Sequence, residues 1–309
     1  MTPLLIDTDM ALDDWMAILY LLKHPDCDVL AIQVAGTGEA HAMPGARNAT
    51  RLQSLTGVSA VPVATGLETP LDGGRRFPGI VRFIMDRHFF VSLPRVPTPD
   101  RFPDAVENTA TVLRNSKEPV TILAIGPLTN LGAALMQDPG LADAIDSIVV
   151  MGGAIDVPGN IDDMSLRAEN HVAEWNIYID PHAANIVFQC GAPVTLIPLD
   201  VTRTVPLTKE FLARFCEMPQ NPAMDFLYRG LRRMLRLAKT GFYFWDPLAA
   251  FVAIQPEHAT FIEHTIRVVE LDGAEYGRTV ACSDGSAVSV CTSVDLTALE
   301  TSLIETLSI

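Results

Sequence analysis

Four carboxylates stand within eight residues near the start of the chain: Asp7, Asp9, Asp13 and Asp14. They follow a short apolar run, Leu4-Leu5-Ile6, and precede a helical pattern with Trp15, Met16, Ile18, Leu19 and Leu22 on one side. This spacing puts Asp13 and Asp14 in the first turn of a helix, where one or two acids favour the helix dipole. Four acids converging on one strand–helix junction would repel each other unless a cation sat between them. Hard carboxylate oxygens point to Ca²⁺ or Mg²⁺, not zinc. The alternative is that these acids are caps and solvated side chains.

Further polar clusters recur along the chain. Ile125-Gly126-Pro127-Leu128-Thr129-Asn130 and Met151-Gly152-Gly153 each end an apolar run. Gly159-Asn160 and Ala173-Glu174-Trp175-Asn176 follow. A glutamate with two asparagines can bracket vicinal hydroxyls, because together they accept and donate. Trp245-Asp246-Pro247 then places an indole beside one more carboxylate. Trp245 taken alone reads as a core residue, and Thr129 with Asn130 reads as a helix cap rather than a ligand. Asp200 follows a strand and is placed to brace the site from behind. His88, His171 and His182 are isolated and receive no role.

The elements that must position these residues alternate strand and helix. Val29 to Val34, Val61 to Val63, Val120 to Ile125, Ser147 to Met151 and Val194 to Leu199 read as strands. Ala42 to Leu55 and Pro181 to Gln189 read as helices between them, and Glu210 to Lys239 as a further helical stretch. Continuous apolar strands fit burial on both faces. The order predicts an α/β fold: an open, mainly parallel central sheet with helices on both faces, as one domain over residues 1–309. Ligands of such sheets bind at the C-terminal ends of the strands, where the polar clusters fall. Gly66 to Asp104 breaks the rhythm; it is rich in Pro, Gly and Arg and carries Phe77, Phe83, Phe89 and Phe90. Arg229, Arg232, Arg233, Arg236 and Lys239 form a basic cluster that reads as a solvated helix face.

The composition narrows the partners. The 309 residues carry 22 Lys+Arg against 37 Asp+Glu, a formal net charge of -15. A chain this acidic lacks the basic face that neutralises phosphate backbones or anionic lipid, so neither nucleic acid nor a membrane surface is an expected partner. No apolar run is long enough to cross a bilayer, and Met1 to Asp9 lacks the basic start of a secretory signal. The five cysteines are scattered without CxxC spacing, which suits free thiols and a cytoplasmic setting.

Asp7-Thr8-Asp9-Met10-Ala11-Leu12-Asp13-Asp14 resembles the aspartate signature of the nucleoside hydrolase family, usually DxDPGxDD. The GPLTN, MGG, GN and AEWN segments and the Asp-Pro pair at residue 246 follow in the family's order, and together they cover residues 4 to about 255. Met151 to Pro181 and Gly241 to Pro247 look most like the purine-specific inosine-adenosine-guanosine branch. The resemblance implies a Ca²⁺-dependent N-glycosidase that splits purine ribonucleosides into base and ribose, a role in purine salvage, and a homo-oligomer, dimer or tetramer. By matching position, Asp9, Asp14 and Asp246 would bind calcium through carboxylates and Ile125 through its backbone oxygen. Asp9 would also take a proton from the attacking water. Asp13 would contact a ribose hydroxyl, Asn160, Glu174 and Asn176 would hold the others, Met151 would pack under the sugar, and Trp245 would stack on the base.

Three departures from the family pattern stand out. Met10-Ala11 replaces Pro-Gly, which requires Ala11 to avoid positive φ. Gly36-Thr37 replaces the Gly-Asn that many members carry after the second strand. Trp245 stands where many members have a histidine that protonates the leaving base, and an indole donates hydrogen bonds without acting as an acid. A haloacid dehalogenase-type phosphatase also opens with DxD, but the Thr or Val and the later Lys it needs are missing. A calcium-dependent ribose binder without catalysis, and a hydrolase of the same family with a different nucleoside or sugar substrate, are the remaining alternatives.

Overall fold

A computed structural model of the chain describes residues 1–88, 91–164, 170–237 and 241–309. Phe89, Phe90 and Lys239, singled out in the sequence, lie outside the described residues. The strands are β1 (Thr2–Thr8), β2 (Cys27–Val34), β3 (Val63–Thr65), β4 (Val120–Ala124), β5 (Ile145–Met151), β6 (Val194–Ile197), β7 (Ala259–Val268), β8 (Thr279–Ala281) and β9 (Ser286–Val294). They form one sheet in the order β3-β2-β1-β4-β5-β6-β9-β7-β8. Every pairing from β3 to β9 is parallel, whereas β7 runs antiparallel to both β9 and β8. Residues 120–124 of β4 are buried throughout and β1 is buried from Leu4 onward, as apolar strands covered on both faces must be.

The helices are α1 (Leu12–Lys23), α2 (Ala42–Gln53), α3 (Gly79–Asp86), α4 (Ala105–Asn115), α5 (Thr129–Gln137), α6 (Ile161–Met164), α7 (Trp175–Ile179), α8 (Pro181–Phe188), α9 (Leu199–Thr202), α10 (Lys209–Glu217), α11 (Pro222–Leu237), α12 (Trp245–Ile254) and α13 (Leu296–Ser308). Two large apolar clusters cover the two faces of the sheet: one joins α1, α10, α11, α12 and α13, the other α4, α5 and α8. The helical stretch expected from Glu210 to Lys239 is two helices, because Pro219 and Pro222 interrupt the backbone ladder between them. Arg229, Arg232, Arg233 and Arg236 are exposed on α11, opposite Met224, Phe226, Leu227 and Leu231, which enter the core. Among the described residues no helix is long and apolar enough to cross a membrane.

The sheet order fixes where a ligand can sit. From β1 the chain steps outward to β2 and β3, then returns to β4 and steps the other way through β5 and β6. The crevice where the direction reverses opens at the C-terminal ends of β1 and β4. Asp9 follows one of these strands and Ile125 the other.

Candidate active site

A cavity of about 510 Å³ opens at that crevice. The ten residues to which the resemblance gave a role all line it: Asp9, Asp13, Asp14, Ile125, Met151, Asn160, Glu174, Asn176, Trp245 and Asp246. They come from the β1–α1 junction, the ends of β4 and β5, the loop before α6, and the starts of α7 and α12. Asp9 is clasped between two glycines. A Cβ on Gly38 would overlap the Asp9 side chain, and one on Gly126 would lie 2.8 Å from the Asp9 backbone nitrogen. The loops after β2 and β4 therefore press against the end of β1 only because those positions lack side chains.

Asp14 fastens the start of α1. One oxygen takes the Thr8 hydroxyl and the Asp9 and Met10 N–H groups at 3.2 and 3.3 Å; the other takes the Ala11 N–H at 2.9 Å. The capping alternative is thus true of Asp14 in part, yet this cap is fully buried and faces the cavity. Asp7 points elsewhere. It accepts the Asn130 amide at 3.0 Å, and Asn130 in turn accepts the Leu67 N–H at 3.0 Å. Thr129 meets Thr37 hydroxyl to hydroxyl at 3.0 Å. Neither residue caps α5, as the sequence suggested; they tie three loops together behind the site. Asp200 accepts the Ile155 and Asp156 N–H groups at 2.9 and 2.8 Å, so it braces the loop after β5 as expected.

The tightest carboxylate group differs in one member from the set the resemblance implied. Ligand oxygens of Asp13, Asp14 and Asp246 lie within 4.8 Å of one another. Asp9 stands beside this group, and its Oδ2 accepts the Glu39 N–H at 3.0 Å. Asp13, expected only at a ribose hydroxyl, is therefore also within reach of whatever the other two bind. Burial raises every carboxyl here. Asp9 is pushed up to about 6, Asp13 and Asp7 to about 7, and Asp14 and Asp246 well above the usual range, with the neighbouring aspartates adding to the rise. Clustered buried acids of this kind call for shared protons or a cation. The donor set is all oxygen, with neither histidine nor cysteine among the described lining residues, and that fits Ca²⁺ or Mg²⁺.

The opposite wall descends from β5. Glu174 caps α7: its Oε1 takes the Asn176 N–H at 2.9 Å, and its Oε2 takes those of Gly153 and Ile177 at 3.1 and 3.2 Å. Burial raises Glu174 to about 7 against these three donors. The Asn160 side-chain oxygen accepts the Trp175 N–H at 3.0 Å, and its backbone oxygen accepts the Trp175 indole N–H at 3.1 Å. Asn176 donates to the Met151 carbonyl at 3.1 Å.

Aromatic rings close the remaining side. Phe242 and Tyr243 meet Trp245 edge-on, with centroids 5.1 and 5.4 Å away, and Phe77 stacks on Trp175 at 4.6 Å and 23°. All five rings line the cavity, along with Val81, Ile84 and Met85 from α3. Sequence reasoning assigned no role to Phe77, Trp175, Arg203 or Glu39, which also line it. Trp175 was visible as the neighbour of Glu174. Arg203 is spent on the Pro158 and Gly159 carbonyls at 2.7 and 2.9 Å. His88, His171 and His182 do not line the cavity; His171 pairs with Asp162 and His182 with Glu270.

The left-handed residue of the β1–α1 loop is Met10, with φ of 64°, while Ala11 is extended at φ of −67°. Ala11 avoids positive φ, as its side chain requires. The family's usual proline could not adopt the Met10 conformation, since its ring holds φ near −65°.

Comparison with known proteins gives a consistent result. Residues 4–301 match the family model described as inosine-uridine preferring nucleoside hydrolase. The pyrimidine-specific ribonucleoside hydrolase RihA of Citrobacter koseri is 35% identical over 287 residues, covering 90% of this chain and 87% of that one. Uridine nucleosidase 1 of Arabidopsis thaliana is 31% identical over 283 residues, covering 90% and 81%. Among solved structures, a plant nucleoside hydrolase superposes with a TM-score of 0.87 at 28% identity, covering 99% of both chains. The purine-preferring ribonucleoside hydrolase of Gardnerella vaginalis gives 0.84 at 28% identity, covering 99% and 98%. With the carboxylate group, the asparagine and glutamate wall and these matches together, the chain belongs to the inosine-uridine preferring nucleoside hydrolase family, enzymes that cleave the N-glycosidic bond of ribonucleosides.

Proposed function

We propose that the protein is a Ca²⁺-dependent hydrolase of purine ribonucleosides, releasing free base and ribose. The observation that carries this reading is the division of one cavity into a carboxylate floor and an aromatic wall. Asp9, Asp14, Asp246 and the Ile125 carbonyl would hold the ion, with Asp13 in reach. A bound divalent cation supplies Lewis acidity toward water and vicinal hydroxyl oxygens.

The chain's own groups do the rest. Asp9, raised toward neutrality by burial, accepts a proton from the attacking water. The water oxygen bonds to the anomeric carbon as the bond to the base nitrogen breaks, and the base leaves with that electron pair. Positive charge develops on the sugar, and the surrounding carboxylates stabilise it. Asn160, Glu174 and Asn176 orient the ribose hydroxyls, and Met151 packs beneath the ring. Trp245 gives the leaving base a π face rather than a proton, so water or another group protonates it.

The five-ring wall supports purines, whose larger π surface gains more from stacking. A second reading has its own support: the relatives at 31% and 35% identity are named for uridine and pyrimidine substrates. Base release from inosine, adenosine, guanosine, uridine and cytidine separates the two. Higher kcat/KM on the purines supports the first reading, and a uridine rate equal to or above inosine favours the second. Absence of turnover on all five refutes both. Residence in the cytoplasm, action as one domain over 1–309 and assembly as a dimer or tetramer complete the proposal; sedimentation tests the last.

A further inference from the structure

The Gly-Asn that many family members carry after the second strand is Gly36-Thr37 here, and the structure shows what takes its place. Thr37 turns away from the cavity: its side chain is buried against Thr129. Two residues later Glu39 enters the cavity instead. Its backbone is fixed there. Its own N–H is held by Asp9, Ala40 donates to the Asp9 carbonyl at 3.0 Å, and Gly38 packs directly on Asp9. The buried Arg82 of α3 braces the loop from outside by donating to the carbonyls of Gly36 and Ala40. Glu68 accepts from Arg82 at 3.1 Å and from the Ala42 N–H at 2.8 Å.

The Glu39 carboxylate has no hydrogen-bond donor or cation paired with it among the described residues. Asp9 and Asp13 are its charged neighbours. A rigid loop therefore holds an acceptor in the cavity against two like charges, an arrangement that local stability does not explain.

Its place in the sheet says which part of a substrate it meets. Glu39 follows β2, whereas Asn160, Glu174 and Asn176 hang beyond β5. β1 and β4 lie between, so the two walls stand about three strand spacings, roughly 14 Å, apart. The ion-binding acids and Asp9 occupy the middle. On the reading proposed above, a nucleoside with its hydroxyls on the β5 side and its anomeric carbon at Asp9 points its base toward Glu39 and the apolar residues Val81, Ile84 and Met85. The donors on that part of a nucleoside are ring N–H and exocyclic amino groups.

We infer that Glu39 is a specificity-determining residue that accepts a hydrogen bond from an N–H of the nucleobase. It deepens the hydrolase reading and rests on it. The test compares adenosine with purine riboside, which lacks the 6-amino group, and inosine with 1-methylinosine, in the wild type and in Glu39→Ala and Glu39→Gln. The ratio of kcat/KM within each pair is read, so that intrinsic leaving-group differences cancel between enzymes. In at least one pair the ratio falls about tenfold or more in Glu39→Ala, because a site built around a donor discriminates strongly against its absence. Glu39→Gln keeps part of the ratio, because its amide oxygen still accepts. Calcium affinity, measured by titration calorimetry, stays within about twofold of wild type.

Both ratios unchanged in Glu39→Ala, with all substrates slowed equally, would overturn the inference. So would a loss of calcium affinity, which would make Glu39 an ion ligand. Failure of the wild type to hydrolyse any of these four purine nucleosides would instead refute the purine reading on which the inference rests.

Discussion

The two walls of the cavity are built on opposite principles. The floor gathers Asp9, Asp13, Asp14 and Asp246, each destabilised by burial and the last three also by neighbouring carboxylates. The upper wall gathers Phe77, Trp175, Phe242, Tyr243 and Trp245, whose edge-on and stacked contacts are favourable in their own right. The floor holds an arrangement that shared protons or a cation must relieve; the wall is already at rest. The difference implies that substitutions in the floor remove chemistry while relaxing the fold, and that substitutions in the wall change affinity and base choice.

The largest break is in the floor. Asp246→Asn abolishes turnover, a loss of about 10³-fold or more if an electrostatic group at the reacting centre is removed. The same variant raises the thermal midpoint of the chelator-treated protein, because one of several mutually repelling carboxyls has been neutralised. A lower midpoint would show that Asp246 is satisfied by the protein alone.

Glu174→Ala comes next. It leaves calcium binding intact and lowers kcat/KM for ribonucleosides by on the order of 10²-fold, since a charged acceptor and the fixed wall around it are both lost. The ribonucleoside loss exceeds that for 2′-deoxyribonucleosides if the contact is to the 2′-hydroxyl. An unchanged ratio would place Glu174 away from that hydroxyl. Loss of the α7 cap costs about 1 kcal/mol of stability, measurable by denaturant unfolding.

Trp245→Ala tests the wall. A stacked base contributes about 1–3 kcal/mol, so purine kcat/KM falls by about 10-fold or more. Uridine loses less. Equal losses on inosine and uridine would mean that the ring orders the cavity without touching the base.

The smallest effect is in pH. Asp7, Asp9, Asp13 and Glu174 hold their protons more tightly folded than unfolded, with folded values of about 6 to 7. Between about pH 4 and pH 7 the folded chain therefore binds more protons, and its stability falls as pH rises through that window. Saturating calcium flattens this slope, because the ion favours the ionised carboxyls. Thermal midpoints from pH 4 to pH 7.5, with and without the ion, measure both, and parallel curves would contradict the placing of Asp9 and Asp13 at an ion site.

How far all this was legible in the sequence differs between the same two regions. The floor was legible because its acids are crowded at the end of an apolar strand, a pattern that burial makes costly. The parallel strands were legible for a related reason: burial on both faces leaves continuous apolar runs, as at Val120–Ala124. β7 was not, because only part of each of its faces is covered, and its residues from Ala259 to Val268 carry Glu263, His264 and Arg267 among the apolar ones. Glu39 was invisible as a lone acid in a loop whose course depends on Gly38, Gly126 and Arg82. Thr129 and Asn130 looked like caps because they open a helix; only the neighbouring loops show that their side chains are used elsewhere. The wall rings were visible as residues, but Phe77 and Trp175 lie about 100 positions apart in the chain, and only the fold stacks them.

The central claim, that the carboxylate floor becomes a hydrolytic centre by binding calcium, is tested most directly by titrating the ion into chelator-treated protein while following hypoxanthine release from inosine. The account predicts no release without the ion, and recovery that saturates at one calcium per chain. Release that continues undiminished in chelator, or calcium that binds one per chain without restoring release from any nucleoside, would contradict it.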